Sequence, residues 1–241
     1  MTTAADRLSG TAVTVPGSFG RRSRLLAALI LPLGPAAIAV LRLVLPYFTI
    51  DEPTAMAAEV AGNPGAQSLV VWLGLVAAIA IVPAVIWIGG LTRPSAPVVT
   101  AFALALAVPG YLALGVIMST DVMLWSGIRN GVDAQTVAHL VANTHPAVGL
   151  AEGIFVLGHL VGTVLLGVAL WRSRIVPRWA AGMTAISQPL HLVAAVFLVN
   201  PTLDFTAWMM TALGFVAAGL GSGNGIGRNA VEDRAVDGSD Q

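Results

Sequence analysis

The chain has 241 residues, 56% of them hydrophobic and only 10% charged, with a mean hydropathy of +0.84 and a formal net charge of zero. Soluble domains carry about 45–50% apolar and about 25% charged residues, so a soluble domain, a disordered chain and a nucleic-acid binder are excluded as readings of the whole. Cysteine is absent, which removes disulfides, thiolate metal sites and cysteine nucleophiles.

In chain order, residues 1–23 form a polar, Gly/Ser/Thr-rich tail on the cytoplasmic side, with no Ala-x-Ala cleavage site behind it. Six apolar segments are each long enough to cross a bilayer: 24–46, 68–90, 98–118, 146–171, 179–199 and 205–221. Open backbone cannot face lipid, so each is predicted to be a helix. The loop 47–67 is acidic and turn-rich, with Pro53 and Pro64. The loop 119–145 holds Asp133, a good N-cap for a short helix over 134–143, whose Val137, Leu140 and Val141 form an apolar stripe. Residues 222–241 read as a disordered cytoplasmic tail. Their glycine-rich start at 221–227 lacks the lysine and the strand–helix context of a phosphate loop.

Arginine sets the orientation, because every basic residue is Arg. Arg7, Arg21, Arg22, Arg24, Arg93, Arg172, Arg174, Arg178, Arg228 and Arg234 all fall on one side, whereas the opposite loops hold Asp51, Glu52, Glu59, Asp121, Asp133 and Asp204 and only Arg129. The positive-inside rule then puts both termini in the cytoplasm. Trp72, Trp125 and Trp208 are expected at the outer interface, and Trp87, Trp171 and Trp179 at the inner one. Arg without Lys, amid abundant Ala, Val and Gly, reads as a GC-rich bacterial genome, and the predicted location is the bacterial plasma membrane.

A weak internal repeat relates spans 2–3 to spans 4–5. Pro97 and Pro109 are spaced like Pro177 and Pro189, and Tyr111 and His191 each lie two residues beyond the second proline. Duplication and chance both account for it, since proline is frequent in membrane helices.

The polar residues within the spans are the functional candidates: Arg42, Glu152, His159, Thr163, Ser187, Gln188 and His191. On span 4, His145, Glu152 and His159 recur every seven residues, and Thr163 shares their face. Gly158 and Gly162 lie on another face and permit close helix approach. At about 1.5 Å of rise per residue, His159 and His191 lie roughly 18 Å from the inner ends of their spans, and Thr163 and Ser187 roughly 12 Å. Neighbouring antiparallel spans are expected to bring these levels together. By the same measure Arg42 and Glu152 lie at matching depths of roughly 27–28 Å, which makes an ion pair between them geometrically feasible.

Four readings stay open. A structural network has the histidines as neutral glue and Arg42 reaching outward to Asp51 or Glu52. A pathway or small-molecule pocket has Glu152 and His159 exchanging protons between spans 1, 4 and 5. No cofactor is expected, the alternative being haem held by His159 and His191. An intramembrane enzyme acting on lipid or isoprenoid would need Glu152 as its acid, but there is no zinc-helix or nucleophile-elbow motif. No metal site and no catalytic residue is assigned.

The stretch 158–179, with His159, Trp171, Pro177 and Trp179, continuing through Ser187 to Pro189 and His191, resembles uncharacterised actinobacterial integral membrane proteins of the DUF4386 type. That resemblance implies a small multi-pass membrane protein and no particular activity. The expectation is therefore an all-α bundle of six spans over 24–221, with the lipid bilayer as its surroundings and a homodimer or a partner membrane subunit as its companion. Its expected role is that of a small transporter-like or sensor-like component with a polar cavity. The alternative is a structural or partner-binding subunit without pocket chemistry.

Overall fold

A computed structural model describes residues 20–222. The two predicted tails lie almost entirely outside the described residues. Between them the chain is all helix, and no strand occurs among the described residues. The helices are α1 (Arg21–Ile30), α2 (Leu33–Val44), α3 (Pro53–Gly62), α4 (Pro64–Thr92), α5 (Pro97–Arg129), α6 (Ala134–Ala142), α7 (Pro146–Ser173), α8 (Arg178–Leu192) and α9 (Pro201–Gly221). A π-helical turn, Val193–Phe197, extends α8. Six stretches are long and apolar enough to span a membrane: α1–α2 together, α4, α5, α7, α8 with its π turn, and α9.

Prolines set most of the helix starts. Pro53, Pro64, Pro97, Pro146 and Pro201 each stand in a first turn, where the missing N–H is no loss and the fixed φ suits the helix. Side-chain caps complete several of these starts. Asn200 accepts from the Leu203 N–H at 3.0 Å, and His145 Nδ1 accepts from the Ala147 N–H at 3.2 Å. Asp133 caps α6 as predicted, accepting from the Thr136 N–H at 2.9 Å.

The helices reach further than the hydropathy suggests. The third span continues past 118 to Arg129, because its last turns are amphipathic and bury Leu124. The predicted loop 47–67 contains α3, which packs with α6 and the end of α5 around Val60, Leu124 and Val137. This second core forms a cap over one end of the bundle.

The six spans close into a ring in chain order. The α1–α2 pair packs against α4, then α4 on α5, α5 on α7, α7 on α8, α8 on α9, and α9 back on α1–α2. The two ends of the described chain therefore meet: Arg24 Nε donates to the Leu220 carbonyl at 2.7 Å. The outer surface of the ring is apolar, with Leu29, Ile79, Phe102, Leu157, Ile186 and Phe197 all exposed. In water such a surface would drive aggregation, so its solvent is a lipid bilayer.

The tightest seam joins α5 to α7. A Cβ placed on Gly158 would lie 2.6 Å from Gly110 Cα and from the Leu106 carbonyl oxygen, so glycine is required there. Gly162 meets Ala107 in the same way. These are the two small residues expected to allow close approach.

Candidate functional site

At the end of the ring away from the chain termini, the helices do not close. A cavity of about 370 Å³ remains there, lined by residues of all six spans together with the 45–49 linker and α3. One local irregularity borders it, the π turn Val193–Phe197 after Pro189, whose Ala195 and Val196 line the cavity and which is followed by Val199 at φ +48°. A proline interrupts the helical hydrogen-bond ladder, and π turns cluster at functional sites. A β-branched residue with positive φ is a strained outlier, and this one carries the chain from the helix of His191 to the helix of Asp204.

One polar cluster joins spans 1, 5 and 6. Asp204, only 1% exposed, takes Arg42 Nε on Oδ2 at 2.5 Å and His191 Nδ1 on Oδ1 at 2.5 Å. Arg42 also donates from Nη2 to Thr49 Oγ1. Trp208 Nε1 approaches the same His191 nitrogen at 3.2 Å. That nitrogen faces a carboxylate and an N–H donor at once. Its role follows the tautomer: with a proton on Nδ1 it donates to Asp204, and without one it accepts from Trp208.

His159 lies beside this cluster. Its ring stacks on Phe155 at 4.1 Å and faces Trp208 at 5.9 Å and His191 at 5.5 Å between centroids. Its Nδ1 lies 2.6 Å from the Phe155 carbonyl oxygen, one turn back on the same helix. A carbonyl only accepts, so Nδ1 carries the proton and Nε2 of the neutral ring keeps a bare lone pair. That Nε2 is buried and has no hydrogen-bond partner among the described residues.

A second cluster joins spans 2 and 3 to the first linker. Asp121 Oδ1 accepts from the Tyr47 hydroxyl at 2.6 Å and from Gln67 Nε2 at 2.8 Å. Burial and the adjacent Asp121 carboxylate push the Tyr47 hydroxyl above its ordinary range, so it remains a donor. Glu152 lines the cavity and is exposed.

The sequence-predicted residues divide between the two halves of the ring. Arg42, Glu152, His159 and His191 line the cavity. Thr163, Ser187 and Gln188 are buried in helix contacts. Thr163 shares a hydrogen bond of 2.7 Å with Tyr111, while Thr211 joins Ser187 at 2.7 Å and Gln188 at 3.0 Å. The predicted level pairing thus brings His159 to His191 but sends Thr163 and Ser187 to different neighbours. The cause is the ring order: α7 turns one face to α5, and α8 turns one to α9.

Three further expectations are corrected. Arg42 does not pair with Glu152, because α2 packs on α4 and α9 while α7 lies across the ring. Nor does Arg42 turn out to Asp51 or Glu52; Asp51 instead accepts from the Phe48 N–H at 2.7 Å. Trp208 is not an interface residue, being 1% exposed in the core beside the two histidines. A haem held between His159 and His191 would require these touching rings to separate. Asp204 and Asp121, read from sequence as loop acids, are the missed residues. A faint signal existed for Asp204, which follows Pro201 at the position where a first helical turn already faces its neighbours.

Comparison with curated proteins yields no match, and comparison with solved structures yields none either. Residues 25–221, from within α1 to the end of α9, match the family described as domain of unknown function DUF4386. The chain belongs to the DUF4386 family of uncharacterised proteins, here built as a six-span membrane bundle.

Proposed function

We propose that the protein is a small transporter-like or sensor-like component of the bacterial plasma membrane that binds a small molecule within its bundle. The observation that carries this is the cavity of about 370 Å³, lined mainly by apolar side chains with Arg42, Asp121, Glu152, His159 and His191 in its wall. Ligand pockets have this composition and occupy about 300–1,000 Å³. The distribution of arginine puts both termini in the cytoplasm, so the cavity faces the outer half of the bilayer. In this reading Arg42, Glu152, His159 and His191 contact the ligand. Thr163, Ser187 and Gln188 hold the helices that frame it.

Native mass spectrometry of the detergent-purified protein, with an absorption spectrum of the same sample, tests this. A retained small molecule that Glu152→Gln releases, without lowering the unfolding temperature, supports a pocket. One observation favours a structural subunit as the second reading: Asp204 is already matched by Arg42 and His191. That reading gains if no added small molecule binds and variants of the cavity wall change only stability.

A further inference from the structure

We infer that the cavity takes an amphipathic amine in its ammonium form, a compact apolar body bearing a primary or secondary nitrogen; this rests on the cavity being a binding site. The argument is an inventory of charges and hydrogen-bonding groups in the wall. Among the described residues Arg42 is the only Lys or Arg lining the cavity, and its Nε is bound to Asp204 and its Nη2 to Thr49. Two further carboxylates line the same cavity, Asp121 and Glu152. Neither has an ion-pair partner among the described residues. Both hydrogen bonds to the Asp121 carboxylate fall on Oδ1, which leaves Oδ2 without a donor among the described residues. Carboxylates within a membrane span are costly and call for a counter-cation.

An independent observation points the same way. His159, in the wall, has a buried Nε2 that accepts and has nothing to accept from. A buried unpaired acceptor is satisfied by a ligand that donates. With the Arg42 charge matched by Asp204, the unmatched charges of the cavity are negative, and its buried unpaired atom, His159 Nε2, is an acceptor. An anion would meet two carboxylates and an arginine already engaged. A neutral alcohol would donate but leave the charge unmatched. A quaternary ammonium would match the charge but donate nothing. An ammonium with N–H bonds meets both needs. The apolar body would rest on Leu41, Leu114, Ile117, Met118 and Val196.

The test uses the full-length protein in detergent and three probes of matched shape: 2-phenylethylamine, 2-phenylethanol and 3-phenylpropionate. Binding is read by calorimetry and by tryptophan fluorescence, since Trp208 lines the cavity. The amine is expected to bind at least about tenfold more tightly than the alcohol, a difference of about 1.4 kcal/mol, and the anion not to bind. Glu152→Gln and Asp121→Asn are each expected to remove most of the amine's advantage and leave the alcohol's affinity unchanged. Glu152 is exposed, so its variant tests the idea even if Asp121→Asn fails to fold. If the alcohol or the anion binds as tightly as the amine, the amine assignment falls and the pocket stands. The same holds if Glu152→Gln, folded, leaves the amine's advantage intact. If none of the three binds at millimolar concentration, both the amine and the pocket are overturned.

Discussion

The two halves of the ring solve the same packing problem in opposite ways. Near the chain termini, small residues let the helices touch: Gly158 and Gly162 on α7 press against Gly110 and Ala107 on α5. The space left inside is filled by Leu170, Val176 and Phe215. The polar groups bordering this half, Tyr111 with Thr163 and Gln188 with Thr211 and Ser187, form short neutral pairs between adjacent helices. In the other half α8 runs into a π turn and a strained Val199, and the ring stays open. There the polar groups are charged and gather around a cavity. Neutral pairs suffice to set helix register, as membrane interfaces need only small residues and hydrogen bonds. Charged groups in a span need an added reason to persist, and a ligand is the one offered above.

The sharpest way to break this contrast is Asp204→Ala. It leaves Arg42 and His191 without their shared carboxylate in a partly buried site. The expected cost is about 3–5 kcal/mol, read as a lower unfolding temperature in detergent. Hydrogen exchange should rise first in α2, α8 and α9 and leave the α5–α7 seam protected. A uniform rise over all six spans would mean that the halves are not separate units.

Gly158→Ala attacks the closed half instead. Its new methyl would meet Gly110 and the Leu106 carbonyl, and the expected cost is about 1–3 kcal/mol. Ligand binding to the open half should survive in whatever fraction remains folded.

Val199→Gly has a smaller effect of opposite sign. A non-glycine residue in the left-handed region costs about 1–2 kcal/mol, so glycine should raise stability by about 1 kcal/mol. If the strain serves to position His191 and Asp204, the same variant should weaken binding while it stabilises the fold. An unchanged affinity would show that the strain is incidental to the site.

The smallest effect concerns the cap over the open half. The Thr136 hydroxyl and the Thr136 N–H, both donating to Asp133, hold its carboxyl below the usual carboxylate range. A group whose folded value is depressed stabilises above the ordinary carboxylate value and loses that contribution as pH falls through the depressed one. Amide exchange in α6 should therefore quicken on acidification through that range. Asp133→Asn should remove this pH dependence.

Much was legible in the sequence because membrane physics writes itself into composition. The bilayer admits only long apolar helices, so hydropathy alone located six of them, although not their ends. The Asp133 cap and the small face of α7 follow from local rules of helix ends and helix contacts. The meeting of His159 with His191 was legible too, because consecutive spans pack side by side and equal depth then means proximity.

What the sequence could not decide was which distant helices share a wall. Depth matched Arg42 to Glu152, yet the ring order turned Arg42 to Asp204, a residue 162 positions away. Asp204 and Asp121 looked like solvated loop acids because hydropathy falls near the ends of helices whether a residue faces water or the bundle axis. Trp208 looked like an interface anchor for the same reason. Depth along a helix is a property of the sequence, fixed by a constant rise per residue. The choice between lipid and the bundle interior is a rotation about the helix axis, and only close packing against all the neighbours at once fixes that angle.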